Sequence, residues 1–223
     1  IAVGLLTSLW PGASQAIPVF ARKYGFNCTM CHSNFPRLND YGIRYRDNGY
    51  QLPGREQDEK TILASPPPVA FRTSGGYTSD RFANASESEP VGHLMMNGLD
   101  ILSAGLLGRN LGYLLVYPPE MKPARGAEGQ DGALEMASVV LSNIYSPWLN
   151  VRAGRFEPAY CSFSAKRQLG VAPYEIYDFT FPQGMAFSET QTGLEISGHG
   201  RLGSKYAAGI TNGSGTNRPD DGP

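Results

Sequence analysis

Short strand-like segments separated by Gly, Pro, Asn and Asp fill residues 69–212, and they constrain the fold more than any other feature of the sequence. Several of them alternate apolar with polar side chains, as Leu149 to Ala153 do. A period of two places successive side chains on opposite faces of a strand. We therefore predict a mainly β fold with seven strands, over 69–78, 93–105, 111–117, 133–144, 149–156, 190–198 and 205–212.

The connections between these strands are alternately long and short. Outer-membrane barrels have this asymmetry because their periplasmic turns are short and their extracellular loops long, whereas a Greek-key sandwich has no reason to alternate. Residues 69–223 are therefore predicted to form an antiparallel outer-membrane-type β-barrel, truncated because seven strands cannot close a simple up-and-down barrel. The long connections are predicted at 79–92, 118–132 and 157–189, and the short ones at 106–110, 145–148 and 199–204.

The alternation also predicts which side chains face the barrel lumen. If the long loops lie outside the cell, the first strand ascends from the periplasmic side, and the preceding segment enters at the periplasmic rim, where it can fold into the lumen. Four charged side chains would then face the lumen, namely Arg72, Asp100, Arg152 and Glu195.

Composition agrees with a membrane wall built from strands. Of the 223 residues, 41% are hydrophobic, only 17% are charged and 27 are Gly. The sequence contains no run of about 18 apolar residues, so no membrane-spanning helix is predicted. A barrel wall instead places its apolar residues at every second position. The formal net charge of −1 excludes an electrostatic nucleic-acid binder, which needs a basic excess or stripe.

Both ends of the sequence indicate processing or truncation. Residues 1–16 join an apolar stretch to small residues ending in Ala16, which predicts the remnant of a secretory signal peptide cut after Ala16. A buried core helix is the alternative, although Pro11-Gly12 would end it early. Residues 211–223 have loop composition and lead to no further element, so we expect a fragment of a longer exported protein.

The clearest chemical signal is the run from Cys28 to His32, which has the Cys-x-x-Cys-His spacing of c-type haem attachment. Two cysteines at this spacing can form thioethers to both vinyl groups of one haem, and the adjacent imidazole can bind the iron. We predict that Cys28 and Cys31 hold one covalent haem c and that His32 is an axial ligand.

A bare Cys-x-x-Cys pair also has other interpretations: a disulfide, a thioredoxin-like redox pair or half of a zinc site. A zinc site needs a second pair of ligands, and Cys161 is the only other cysteine. A thioredoxin-like pair needs a βαβ unit, which the sequence does not predict. Cys161 lies in the longest predicted loop, and we assign it no role.

The sixth ligand of the haem iron is left open by the sequence. Met30 lies within the attachment loop and is not expected to reach round to the iron. A five-coordinate iron and a ligand from a later part of the protein are two alternatives. The candidates elsewhere in the sequence are His93, Met95, Met96 and His199.

Residues 17–54 are predicted to form a small helical segment around the motif. They hold five basic and two acidic side chains, a net charge of +3, and the rest of the chain holds 14 basic and 18 acidic, a net charge of −4. A positive segment suits a cofactor with two propionates. A helix is predicted from Pro36 to Asn48, followed by Gly49 at its C-terminal end. Residues 55–68, with three consecutive prolines, are predicted to be a Pro-rich linker.

This segment resembles the corresponding part of the fused outer-membrane cytochrome–porin family. The resemblance lies in four stretches, Ile17 to Gly25, Cys28 to His32, Pro36 to Gly42 and Asn48 to Tyr50. The resemblance implies an N-terminal monohaem c-type segment joined to a porin-like barrel in the bacterial outer membrane. It also implies electron transfer from an extracellular donor such as Fe(II), across the lipid layer, to a periplasmic electron carrier. The chain would then act as an electron carrier, and Fe(II) could be oxidised at the haem.

Two further functional hypotheses remain beside this one. The chain could be a soluble periplasmic monohaem electron carrier, or a porin whose haem is mainly a structural plug. The sequence contains no recognisable phosphate-binding Gly loop, paired catalytic carboxylates or Ser/His/Asp set, so no catalytic side chains are predicted.

Overall fold

The computed structural model describes residues 19–34, 37–56, 58–64, 68–80, 91–120, 134–145, 149–159, 190–200 and 203–212. The predicted signal remnant 1–16, Cys161 and the final residues 213–223 lie outside these ranges. None of the helices within the described ranges is long and apolar enough to cross a membrane.

Two short helices and a small hairpin make up the N-terminal segment, which we define as residues 19–56. Helix α1 spans Val19–Tyr24, a single 3-10 turn spans Cys28–Met30, and helix α2 spans Asp40–Asp47. Between the turn and α2, strand β1 (His32–Asn34) pairs antiparallel with strand β2 (Arg37–Leu38).

Helix α2 begins at Asp40, so the prediction of a start at Pro36 was wrong. Residues of β2, which follow Pro36, are extended because they pair with β1. Asn39 then provides the N-cap, since its side-chain oxygen accepts the backbone N–H of Gly42 at 2.9 Å.

The predicted C-terminal end of α2 is confirmed. Gly49 has a φ of 66°, the left-handed conformation that glycine adopts most easily. The N–H groups of Gly49 and Tyr50 donate to the carbonyls of Arg46 and Tyr45, at 3.2 and 2.9 Å, which is the Schellman pattern. The apolar contact that usually accompanies this pattern is present, with the rings of Tyr45 and Tyr50 centred 5.9 Å apart.

All seven predicted strands of the main sheet are confirmed, and each pairs antiparallel with the next along the chain. Their bounds are β3 Val69–Asp80, β4 Val91–Gly108, β5 Leu111–Tyr117, β6 Met136–Leu141, β7 Asn150–Phe156, β8 Gln191–His199 and β9 Lys205–Thr211.

The order of the main sheet is β3-β4-β5-β6-β7-β8-β9. Because neighbours are antiparallel, connections 81–90, 118–135 and 157–190 leave one end of the sheet, whereas the shorter 109–110, 142–149 and 200–204 leave the other. Within the described residues β3 and β9 are the two edges, so the sheet is open.

One face of the main sheet is apolar and exposed, and we call it the apolar face. Phe71 is 71% exposed and Leu94 is 84% exposed. Register partners such as Leu194 and Ile210 lie side by side on this face. It carries Val69, Phe71, Tyr77, Leu94, Leu115, Tyr117, Val139, Leu141, Leu194, Ile196, Tyr206 and Ile210.

The opposite face, the polar face, carries paired charges. Arg72 donates to Asp100 at 2.6 Å, and Arg152 donates to Glu195. Each pair consists of register partners, so both members lie on one face. Arg152 and Glu195 are buried beneath the N-terminal segment. A water-soluble antiparallel sheet has the reverse arrangement, with its apolar face against the core.

The predicted linker also contacts its neighbours where it is described. Glu59 accepts hydrogen bonds from the hydroxyl of Tyr24 and the ammonium group of Lys23. The N–H of Ile62 donates to the carbonyl of Leu106 at 2.9 Å, which joins this stretch to β4. These bonds tie the stretch to the N-terminal segment at one end and to the sheet at the other.

Candidate functional site

The Cys-x-x-Cys-His motif folds as one tight turn. The N–H of Cys31 donates to the carbonyl of Cys28 at 3.2 Å, and His32 begins β1 directly afterwards. Cys28 is exposed, Cys31 is half-buried, and both are free thiols. All three predicted site residues line the same cavity.

Asn39 holds this turn against helix α2. Its side-chain amide donates to the carbonyls of Thr29 and Met30, at 3.2 and 3.0 Å, and its backbone N–H donates to the carbonyl of Cys31 at 2.9 Å. The same side chain caps α2. One residue therefore fixes the position of the motif relative to the helix. This role of Asn39 was not predicted from the sequence, although an Asn directly before a helical Asp is a recognisable N-cap signal.

Gly42 allows the helix and the motif to approach closely. A Cβ atom on Gly42 would lie 2.2 Å from the carbonyl oxygen of Cys31 and 2.9 Å from a side-chain carbon of Leu38. The first of these contacts is with backbone, which cannot move aside without displacing the motif. A side chain at this position is therefore incompatible with the observed packing.

The cavity beside the motif has a volume of about 230 Å³ and a mostly apolar wall that includes several aromatic rings. The rings of Phe20 and Tyr50 are stacked with centroids 5.7 Å apart, and Tyr45 packs edge-on against both. Burial raises the pKa of Tyr50 to about 12, in spite of the nearby Arg46 and Arg152 guanidinium groups. The hydroxyl of Tyr50 therefore stays uncharged at neutral pH.

Burial, and secondarily the neighbouring Cys28, raises the pKa of the Cys31 thiol. A thioredoxin-like pair would need a βαβ unit around the motif, in which two parallel strands are joined by a helix. Every strand pair within the described residues is antiparallel, so that part of the chain offers no such unit.

The arrangement fits a covalently held haem. Two thiols from one turn and the imidazole that directly follows it line an apolar cavity, and this is the donor set that c-type attachment requires. Across the described residues, no group of three or more His, Cys, Asp and Glu side chains is placed to hold a metal ion. The half-zinc-site interpretation thus finds no second set of ligands there.

His199 is the one candidate sixth ligand whose side chain the structure describes, and it does not line this cavity. His199 lies on β8, where its Nε2 is 3.1 Å from a carboxylate oxygen of Asp47. Met30 is exposed and is not part of the cavity wall. The backbone of His93, Met95 and Met96 belongs to β4, but their side chains lie outside the description.

Asp47, at the end of α2, is the main link between the N-terminal segment and the polar face. Its buried carboxylate lies 2.8 Å from Arg46, 3.1 Å from His199, 3.2 Å from Lys205 and 4.0 Å from Arg152. Burial alone would raise the pKa of Asp47, but these cationic and hydrogen-bonding partners hold it well below its usual range. We call these five residues together with Glu195 the charge cluster.

Neutral polar contacts beside the charge cluster also hold the N-terminal segment on the polar face of the main sheet. The side-chain amide of Gln51 donates to Ser142 at 2.9 Å, and that of Asn143 donates to Asn48 at 2.8 Å. A Cβ atom on Gly112 of β5 would lie 2.4 Å from the carbonyl oxygen of Gly49, so the two backbones touch. The N-terminal segment therefore lies directly on the polar face, near the short connections.

Comparisons of the sequence with protein-family descriptions and with curated proteins, and of the fold with solved structures, found no match.

Proposed function

We propose that this chain is an outer-membrane electron-transfer protein with one haem c. In this proposal Cys28 and Cys31 hold the haem, His32 is an axial ligand, and strands β3 to β9 form part of a barrel wall around the N-terminal segment. The observation that carries the proposal is the combination of a haem-type motif, in a segment that packs on the polar face, with an exposed apolar face on the same sheet.

The apolar face supports contact with lipid. Outer-membrane barrels present apolar side chains outward and keep polar ones inside. Exposed apolar patches on soluble monomers are usually much smaller, because exposed apolar surface is costly in water. Here large apolar side chains of successive strands form one surface, while Arg152 and Glu195 are buried on the other.

A bound haem c would supply an iron centre that accepts and donates single electrons. The residues of the chain would hold it in a fixed place. Cys28 and Cys31 would anchor it covalently, Asn39 fixes the turn that carries them, and the apolar wall of the cavity would pack against it. The external donor, such as Fe(II), and the periplasmic carrier follow from the resemblance to cytochrome–porin fusions.

The two alternative functions make different demands. A soluble periplasmic carrier would have to cover the apolar face with something other than lipid. A porin with a structural haem plug would have the same architecture, but no electron would need to enter from outside. The apolar face therefore favours a membrane protein, and a redox measurement is needed to separate a conduit from a plug.

Haem attachment is tested by expressing the chain with a haem-maturation system and measuring covalent haem after denaturation. We expect Cys28→Ala combined with Cys31→Ala to abolish covalent haem, and the matched variant Cys161→Ala to retain it.

The electron route is tested in proteoliposomes, with Fe(II) added outside and dithionite as the positive control. Reduction by dithionite without reduction by Fe(II) would exclude Fe(II) as the donor and favour a structural plug.

A further inference from the structure

Arg46 is the one side chain with a permanent positive charge among the described residues that line the cavity. It lies on α2 next to the buried aromatic rings of Tyr45 and Tyr50. An arginine in an otherwise apolar wall is costly unless its donors are satisfied. Its partners therefore indicate what the cavity can hold.

The guanidinium of Arg46 is only partly used by the protein. Its Nε and Nη2 atoms both contact the same oxygen of Asp47, each at 2.8 Å. A guanidinium has five N–H donors arranged as a planar fork, which suits carboxylate oxygens. Within the described residues Asp47 is the one carboxylate in direct contact with Arg46, so donors remain for a second acceptor.

The charge cluster also carries an unbalanced positive charge. Three permanent cations, Arg46, Arg152 and Lys205, surround two carboxylates, Asp47 and Glu195. Counting these five side chains, three positive and two negative charges leave an excess of one positive charge. A mostly buried cluster with excess positive charge favours binding of an anion.

We propose that Arg46 binds one propionate carboxylate of the haem and that Asp47 orients Arg46 for this contact. This inference rests on the proposed function, because the propionate belongs to the haem that Cys28 and Cys31 would hold. Asp47 is thus a positioning residue, and the propionate supplies the negative charge that the charge cluster lacks.

The test compares ferric haem with its dimethyl ester, in which both propionates are uncharged. Both are titrated by absorption spectroscopy into the full chain carrying Cys28→Ala and Cys31→Ala, so that binding is reversible. The ratio of the two affinities is compared among variants in one detergent, which cancels the partitioning of each porphyrin into micelles. We expect haem to bind about tenfold more tightly than the ester, the effect of one charge-assisted hydrogen-bonded contact.

In this background Arg46→Gln is expected to bring the ratio close to one, and Arg46→Lys to keep part of the preference. The matched control is Arg55→Gln, because Arg55 is an exposed cation that pairs with Asp58 at 2.9 Å away from the cavity. It should keep the full preference. Because Arg46→Lys retains the charge, it keeps the test decisive even if Arg46→Gln fails to fold.

The outcomes separate this inference from the proposed function. If neither haem nor the ester binds and no covalent haem forms on the unmodified chain, the proposed function fails. If both porphyrins bind equally well to the parent protein, haem binding stands and the role of Arg46 is overturned. The same holds if the Arg46 variants that fold, Arg46→Lys alone or together with Arg46→Gln, retain the full preference.

A second measurement uses the unmodified cysteines and the attached haem. Replacing Arg46 by Gln removes a positive charge beside the propionate, which favours the oxidised iron, so the reduction potential should fall. The potential of Arg55→Gln should not change. A potential that is the same in Arg46→Gln and in the unmodified chain would contradict the contact.

Discussion

Asp47 shows how one residue can join two parts of this molecule. Its carboxylate is almost inaccessible to solvent. It is nevertheless charged, because Arg46, Arg152 and Lys205 surround it and the imidazole of His199 is hydrogen-bonded to one of its oxygens. These partners come from α2 and from three different strands. Removing the carboxylate would leave several cations facing one another between the N-terminal segment and the sheet. This should lower the free energy of unfolding more than the removal of an exposed ion pair would.

We expect Asp47→Asn to lower the free energy of unfolding by about 3 kcal/mol, the cost of breaking a buried ion pair. The matched control is Asp40→Asn, because Asp40 is an exposed carboxylate of the same helix that pairs with Arg44 at 3.0 Å. It should cost less than about 1 kcal/mol. Denaturant unfolding in detergent measures both, and equal losses would show that the buried cluster does not stabilise the docking.

Asp47 also predicts a specific dependence of stability on pH. The pKa of Asp47 is lowered in the folded state, so its carboxylate contributes fully to the free energy of unfolding above about pH 4, the pKa in the unfolded chain. This contribution is lost as the pH falls below that value towards the lowered pKa of the folded state. Unfolding curves measured from pH 6 downwards should therefore lose more stability in the unmodified chain than in Asp47→Asn. Parallel curves for the two proteins would contradict this assignment.

At the scale of elements, the sequence predicted what depends on local pattern. The seven strands follow from alternation and from Gly and Pro at their ends, and the end of α2 follows from Gly49. The start of α2 was wrong because β2 pairs with β1, which the helical pattern does not reveal. The partners of Asp47 were not predictable, because His199 and Lys205 come from distant strands that only the fold brings to α2.

The two roles of Asn39 can be separated by substitution. Asp retains the oxygen that caps α2 but cannot donate to the carbonyls of Thr29 and Met30. We expect Asn39→Asp to keep the helix but loosen the turn that carries the cysteines, and Asn39→Ala to lose about 1 kcal/mol more because the cap is also lost.

Unfolding measurements and the yield of covalent haem give the two readouts for Asn39. The capping contribution appears as the difference in unfolding free energy between Asn39→Ala and Asn39→Asp. The contribution of the two donated hydrogen bonds appears as a lower haem yield in both variants. A normal yield in Asn39→Asp would mean that the cap alone positions the motif.

At the scale of the whole molecule, the main sheet has apolar side chains on one face and charged side chains on the other. This distribution raises the question of whether the apolar face contacts water or lipid. In water, an Arg in place of an exposed Leu is nearly neutral, because both side chains are already solvated. In a lipid bilayer the same change costs about 2–4 kcal/mol near the midplane. The apolar face therefore provides a direct test of membrane insertion.

We expect Leu194→Arg to destabilise the protein in lipid bilayers by about 2–4 kcal/mol. Tyr145→Arg is the control, because Tyr145 is 91% exposed but lies in the short connection 142–149, outside the strands. Folding yield and unfolding free energy in vesicles measure the difference. If the two variants behave alike, the apolar face does not contact lipid and the soluble-carrier hypothesis gains support.

The unequal lengths of neighbouring strands have a mechanical consequence. Strand β5 pairs with β4 only over Ile101–Gly108, so within the described residues the stretch 91–100 of β4 pairs with β3 alone. At about 3.3 Å per residue, this two-stranded ribbon reaches roughly 30 Å beyond the last pair with β5. A force applied sideways at its tip acts through a long lever arm on the rows near Arg72 and Asp100. The salt bridge between those two residues lies at the base of the ribbon, where the bending moment of such a force is greatest.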